Sequence, residues 1–274
     1  MNFLKRYSLL ALAILLVELL IIYLCRKPIK SIGHIPKTFQ ETTKENKTIR
    51  RHAYNNSAED SKPDVNIKKE TISELEEKLI KAGLTNISEL DSTIVIDLKY
   101  ATKDNFLHKN LYGNVRHGYL QRSVAEKLAR AQKQLKLEFP FYSLIVFDAA
   151  RPLSIQKVMW NEMQVPENQK DNYVSNPEIG SLHNYGCAVD VSIINEDGLL
   201  LDMGTPYDFF GRLAYPIAEQ EMMDECKLSS RQYENRKLLR RIMINAGFTP
   251  ITSEWWHFNG SSLKIAGEKY LLID

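Results

Sequence analysis

Residues 181–192 read SLHNYGCAVDVS and place His183 and Asp190 on either side of a glycine turn. Residues 187–194, CAVDVSII, are β-branched and apolar enough for a buried strand. Strand alternation then sets Ala188, Asp190 and Ser192 on one face and Val189 and Val191 on the other. An aspartate in the middle of such a strand is costly unless it is paired, hydrogen-bonded or bound to a metal. Asp190 therefore needs a partner, and His183 can reach the same point across the turn. Taken alone, the pair also fits a surface-turn histidine beside a solvent-facing aspartate.

Catalytic zinc takes three protein ligands from His, Asp and Glu and keeps a further position for water. His183, Asp190 and His257 supply such a set, two imidazoles and one carboxylate. Glu254 precedes His257 in the sequence Glu254-Trp255-Trp256-His257 and is suited to take a proton from water beside the ion. Residues three apart in a flat strand face opposite sides, so this segment has to bend for both side chains to meet one metal. Trp255 and Trp256 would then wall the site. The tetrapeptide reads equally as an aromatic core patch with a glutamate at its rim. The HEXXH pattern of many zinc proteases is absent.

The elements around these residues are mixed. Thr71 and Glu74 form a capping-box pattern ahead of an amphipathic helix over 75–82, stopped by Gly83. Residues 93–98 (TIVIDL) read as a strand, and Ser123 with Glu126 opens a second helix running to about residue 137. A strand over 143–147 (SLIVF) leads into Asp148-Ala149-Ala150-Arg151-Pro152, and Pro152 starts a helix over 153–163. After the central strand come a turn-rich stretch at 202–207 and a helix over 231–246, ended by Gly247. Strands and helices do not alternate as regular βαβ units, so the expected class is α+β.

Composition bounds the function. The chain has 274 residues, 44% hydrophobic and 26% charged, which is ordinary for a globular protein. A net charge of +2 gives no basis for nucleic-acid binding. The cysteines Cys25, Cys187 and Cys226 are too few for a disulfide framework and lack the close pairs of a thiolate zinc site. Whether Cys187 and Cys226 pair is left open. Residues 7–24 form an apolar run flanked by Lys5 and Arg6 before it and Arg26 and Lys27 after it, interrupted by Glu18. The expectation is a membrane anchor over residues 1–25, with a cleaved signal as the alternative. A polar, flexible tether over 26–69 follows, and the globular domain occupies 70–274.

Five motifs in order carry a resemblance. Ser181-x-His183-x-x-Gly186-x-Ala188-x-Asp190, followed by Glu254-x-x-His257, resembles the D-alanyl-D-alanine metallopeptidases. Residues 97–106 (DLKYATKDNF), 148–152 (DAARP), 203–208 (MGTPYD) and 254–257 (EWWH) bring the match closest to the D-alanyl-D-alanine dipeptidase branch, the VanX type. The resemblance implies a single zinc-peptidase domain with a mostly antiparallel central sheet flanked by helices. It implies one zinc ion held by His183, Asp190 and His257, with Glu254 as general base and Arg151 stabilising the oxyanion. Ser181 and Asp208 would hold the free amino group of a small D-Ala-D-Ala substrate. A D,D-carboxypeptidase acting on longer wall peptides and a non-catalytic zinc-containing wall-binding module are the alternatives. Ala150 stands where the branch often carries an aromatic, which points to a more open pocket wall. With the N-terminal run, the expected location is the bacterial cell envelope, membrane-anchored or extracytoplasmic. His108 and His117 have no motif around them and are expected in solvent, and the oligomeric state is unassigned.

Overall fold

The computed structural model describes residues 72–274. The expected anchor over 1–25 and the whole tether over 26–69 lie outside these residues, and among the described residues no helix is long and apolar enough to cross a membrane. The elements in chain order are α1 (Glu74–Lys81), β1 (Thr85–Asn86), α2 (Ile87–Leu90), β2 (Val95–Ile96), β3 (Tyr119–Leu120), α3 (Arg122–Glu138), β4 (Ser143–Asp148) and α4 (Leu153–Glu162). They continue with β5 (Ala188–Ile194), α5 (Glu219–Asp224), α6 (Ser230–Asn245), β6 (Thr249–Pro250), β7 (His257–Asn259) and α7 (Leu263–Lys269). The class is α+β. The main sheet has the order β2-β4-β5-β7-β6, with β2 parallel to β4 and every other pair antiparallel.

Alternation along β5 sorts the sheet's two faces. Val189, Val191 and Ile193 pack with Leu144 and Val146 of β4, Leu128 and Leu135 of α3, and Leu239 and Ile242 of α6 in the main core. Each such side chain, once removed from water, contributes about 1.5–3 kcal/mol. On the other face Ile194 packs with Ile145, Phe147 and Tyr207, and this face also carries Asp190. The helical core thus stiffens the strands from one side and leaves the other side for chemistry.

Several local expectations shift. The capping box of α1 is Ser73 with Glu76, not Thr71 with Glu74: Ser73 Oγ accepts from the Glu76 amide at 3.2 Å and Glu76 Oε2 from the Ser73 amide at 3.1 Å. Helix α3 begins at Arg122 without a serine cap, because the Gln121 side chain is turned away to donate to Tyr185 O at 3.0 Å. The strand expected over 93–98 shrinks to Val95–Ile96. Thr93 is drawn into a turn by the Asp91 carboxylate, and Leu98 caps a 3₁₀ turn at Lys99–Ala101. His117 is not left to solvent, since its Nδ1 lies 2.7 Å from Oε1 of the buried Glu76. Cys187 is a free, buried thiol, so it does not pair with Cys226.

Candidate active site

The sheet register lines up three of the polar residues. Asp190 of β5 is directly opposite His257 of β7, and opposite Asp148 of β4 on its other side. A register shift between Val146 and Asp148 makes that second pairing; such bulges re-aim a side chain at a strand end. His183 arrives from the 3₁₀ turn Leu182–Tyr185, which closes at Gly186 with φ 64°. A Cβ on Gly186 would also lie 2.7 Å from Leu84 Cδ2, so glycine is required there for both conformation and space.

The ring orientations follow from their outer partners. His183 Nδ1 is 2.7 Å from the Ala149 carbonyl oxygen, which can only accept, so Nδ1 carries the proton and Nε2 presents a lone pair. His257 Nε2 donates to Asn259 Oδ1 at 2.9 Å, which leaves the lone pair on Nδ1. These two lone-pair nitrogens face each other at 3.2 Å, and Asp190 Oδ1 lies 2.9 Å from His257 Nδ1 and 3.4 Å from His183 Nε2. Tyr207 Oη donates to the other oxygen, Asp190 Oδ2, at 3.0 Å.

Three acceptors turned inward in this way are completed by a positive charge among them, a proton or a metal ion. A tetrahedron with metal–nitrogen bonds of about 2.0–2.1 Å has edges of about 3.3 Å, close to the separations seen here. The local charge balance agrees. Burial opposes ionisation of Asp190, yet the His183 and His257 rings hold its carboxyl well below the usual range. Burial likewise works against a proton on His257, but the Asp190 carboxylate outweighs it and raises the ring to about 9, so a proton competes with a metal ion for Nδ1. The donor set fits zinc, and among the described residues His183, Asp190 and His257 are the group able to hold a metal ion.

The triad opens into a cavity of about 280 Å³, lined among others by Tyr100, Arg151, Ser181, Asp208, Glu254 and Asn259. That is at the small end for a ligand pocket. The chain bends through 252–256 before β7, and this turns Glu254 back until Oε2 is 4.0 Å from His257 Nδ1. Burial raises the Glu254 carboxyl, with His257 opposing and Asp190 adding to the shift. Arg151 is buried. Its Nε and Nη2 both donate to Asp148 Oδ2, at 2.9 and 2.5 Å, while Tyr112 Oη donates to Asp148 Oδ1 at 2.6 Å. The guanidinium also lies over the Tyr100 ring, 5.3 Å from its centroid, and Arg151 lines the cavity.

Asp208 has φ 58°, in the left-handed region, and Tyr100 Oη donates to both of its oxygens at 3.1–3.2 Å. Burial, and then the negative charge of Asp190, push its carboxyl well above the ordinary value. The loop carrying Tyr207 and Asp208 is tied to α6 by the buried Arg236, which donates to Met203 O at 2.6 Å and Leu213 O at 3.0 Å. Ser181 Oγ donates to Gln156 Oε1 at 2.9 Å. All seven residues singled out in the sequence therefore line one cavity. Ala150 does not: it packs with Leu79, Leu84 and Tyr119 away from the site, so its small side chain leaves the cavity wall unchanged.

Sequence reasoning missed Tyr207, Asn259, Gln156 and Asn184 as supporting residues. Strand alternation was available as a signal for Asn259, two residues beyond His257 on the same face. Nothing in the local pattern marked Gln156.

The chain is similar to known proteins. A peptidase family model described as D-ala-D-ala dipeptidase matches residues 80–270. The D-alanyl-D-alanine dipeptidase of Escherichia coli is 31% identical over 175 residues, covering 64% of this chain and 83% of that protein. The enzyme of the same name from Enterococcus faecium is 29% identical over 194 residues (65% and 92%), and that from Enterococcus faecalis 28% over 191 residues (64% and 90%).

Proposed function

Because the chain belongs to the D-Ala-D-Ala dipeptidase family of metallopeptidases, we propose that it hydrolyses D-Ala-D-Ala and related short dipeptides with zinc held by His183, Asp190 and His257. The observation that carries this reading is the convergence of His183 Nε2, His257 Nδ1 and Asp190 Oδ1 on one point, with Glu254 and Arg151 lining the same cavity. Zinc bound there supplies Lewis acidity toward the scissile carbonyl and toward water. Glu254 takes the proton of the attacking water and returns it to the leaving amine, a task suited to a carboxyl raised by burial. Arg151, kept charged and fixed by Asp148, sets its guanidinium beside the oxygen where negative charge develops.

Recognition of the substrate's free amine falls to Asp208 and Ser181. A carboxyl pushed up by burial, with Tyr100 as its hydrogen-bond donor among the described residues, is completed by an ammonium, and the small cavity favours a dipeptide over a longer chain. D-Ala-D-Ala links the reaction to peptidoglycan metabolism. We place it at the bacterial cell envelope on the strength of the apolar run at 7–24; a reporter enzyme fused to the chain and active only outside the cytoplasm checks that placement.

The decisive experiment joins metal analysis to D-alanine release from D-Ala-D-Ala and from longer, N-acetylated D-Ala-D-Ala peptides. The expected result is one zinc per chain, release from the free dipeptide, loss on chelation and recovery with zinc. Equal cleavage of the N-acetylated peptides would favour a D,D-carboxypeptidase. Zinc-loaded protein that cleaves no D-Ala peptide would leave a wall-binding module.

A further inference from the structure

Gln156 of α4 is completely buried behind the cavity wall, yet each of its polar atoms is used. Its Oε1 accepts from Ser181 Oγ at 2.9 Å and from Asn184 Nδ2 at 3.0 Å, and its Nε2 donates to the Ser175 carbonyl at 2.8 Å. Asn184 Nδ2 also donates to the Arg151 carbonyl at 2.9 Å, and Asn184 Oδ1 accepts from the Ser181 amide at 2.7 Å. The directions in this network are forced. The carbonyls of Arg151 and Ser175 can only accept, so the amide nitrogens of Asn184 and Gln156 must face them. Both side-chain atoms within reach of the Ser181 hydroxyl, Gln156 Oε1 and Asn184 Oδ1 at 3.3 Å, are then acceptors.

The Ser181 proton is therefore held inward, and its oxygen presents only lone pairs to the cavity. We infer that Gln156 is a specificity-determining positioning residue: it fixes Ser181 as an obligate hydrogen-bond acceptor, so that the site takes a free ammonium and disfavours a carbonyl or carboxylate oxygen in the same place. This rests on the reading of Ser181 as a contact for the dipeptide's amino end. Asp208 supplies the charge that attracts the ammonium, and Gln156 supplies the polarity that turns away its acylated counterpart. The same amide fastens Ser175 and Ser181, two cavity-lining positions on either side of the 176–180 loop.

The test uses the zinc-loaded full chain. Gln156→Met keeps an unbranched side chain of similar length and removes both polar atoms. KM for D-Ala-D-Ala is expected to rise about tenfold, as for loss of one hydrogen bond to a charged group, with kcat and zinc stoichiometry retained. In the Ser181→Ala background the same change is expected to have no further effect on KM. Gln156→Glu, buried as the neutral acid, keeps an acceptor for Ser181 and Asn184 and an O–H donor for the Ser175 carbonyl, and is expected to recover most of the affinity. A Gln156→Met effect that persists undiminished without the Ser181 hydroxyl, or a Gln156→Glu variant as impaired as Gln156→Met, overturns the inference.

A second measurement does not depend on how Gln156 variants fold. Inhibition by pyruvoyl-D-alanine, which carries a keto oxygen where the dipeptide has its amine, is compared between the unsubstituted chain and Ser181→Ala. Loss of the hydroxyl is expected to leave this inhibitor's binding equal or tighter while KM for D-Ala-D-Ala rises. If the inhibitor instead binds more weakly to Ser181→Ala, the hydroxyl donates and the inference fails. Absence of dipeptide cleavage by the unsubstituted chain would instead remove the underlying reading of function.

Discussion

Replacing Tyr207 by phenylalanine tests the metal triad through a single atom. The ring is held by Phe147 at a centroid distance of 5.1 Å, Trp256 at 5.4 Å and Tyr100 at 6.3 Å, and none of these contacts needs the hydroxyl. Tyr207→Phe removes the bond from Oη to Asp190 Oδ2 at 3.0 Å, along with the hydroxyl's contact with Tyr100, and so frees the carboxylate to rotate away from the imidazoles. Burial, followed by the negative charge of Asp208, pushes the Tyr207 phenol well up, so it remains a donor across the working pH range. A hydrogen bond to a charged group is worth about 1.5–3 kcal/mol, which corresponds to a 10–150-fold change in an equilibrium constant. Loss of an outer partner of a metal ligand usually costs about 10–100-fold in metal affinity, so the two routes to the magnitude agree. Zinc affinity is read by competition with a chromogenic chelator, and thermal unfolding of the metal-free protein is followed as a control for packing. The expected result is weakening by one to two orders of magnitude with little change in the control. Affinity within about twofold of the unsubstituted chain would refute the argument that Asp190 binds through Oδ1 alone while Oδ2 is held by Tyr207.

Three further outcomes follow from the same geometry. Glu254→Gln is expected to keep stoichiometric zinc while kcat falls by about 10²–10⁴-fold, the usual range for a positioned proton carrier; metal analysis and D-alanine release separate the two effects. Asp208→Asn keeps a residue that tolerates the observed φ of 58° but removes the charge. KM for the free dipeptide should rise about 10–150-fold, and steady-state kinetics on free and N-acetylated substrates should show the preference between them collapse. Away from the site, burial raises the Glu76 carboxyl, but bonds from the Ser73 amide, His117, the Arg116 amide and the Ser73 hydroxyl outweigh it and set the net value below normal. A depressed folded value means stability present at neutral pH and lost as pH falls below about 4.5. Urea midpoints should therefore drop in acid for the unsubstituted chain, while Glu76→Gln is weaker by about 1–3 kcal/mol at neutral pH and loses less on acidification.

The sequence was most informative where one residue type faced one physical demand. An aspartate inside the strand CAVDVSII required a partner, and the structure supplies three, His183, His257 and Tyr207. Two of those were legible as residue types; Tyr207 was not, because its contact with Asp190 depends on how a long loop folds back over the sheet. The long elements also followed from pattern: β4, β5, α4 and α6 fall within about a residue of their expected bounds, since burial on one face enforces periodicity. Short elements did not. Residues 93–98 have strand composition, but β2 is at the sheet edge, and turn chemistry at Asp91 and Leu98 trims it from both ends. The helix caps shifted for a similar reason. Gln121 is more useful to the Tyr185 carbonyl than to its own helix, and Glu76 closes a box with Ser73 while also holding the amides of Arg116 and His117. Such choices depend on distant partners and leave no local trace.

Sheet and loops divide the work in a way that bears on how specificity can vary. Asp190 and His257 are opposed across one strand pair, and His183 is locked by the Ala149 carbonyl at the end of β4. The metal-facing lone pairs are thus fixed largely by sheet register, and a one-residue slip would turn Asp190 into the helical core. Asp208, Ser181 and Ser175 instead belong to loops, fastened by the single buried side chains Arg236 and Gln156. Changes at those two anchors can therefore re-aim the groups that meet the substrate's amino end while the triad's own geometry stays in place. Arg151 stands between the two systems. Its side chain is oriented by Asp148 in the strand row, and its carbonyl is held by Asn184 in the loop network. A loop substitution that reaches Asn184 should consequently alter kcat as well as KM, whereas one confined to Gln156 should act on KM.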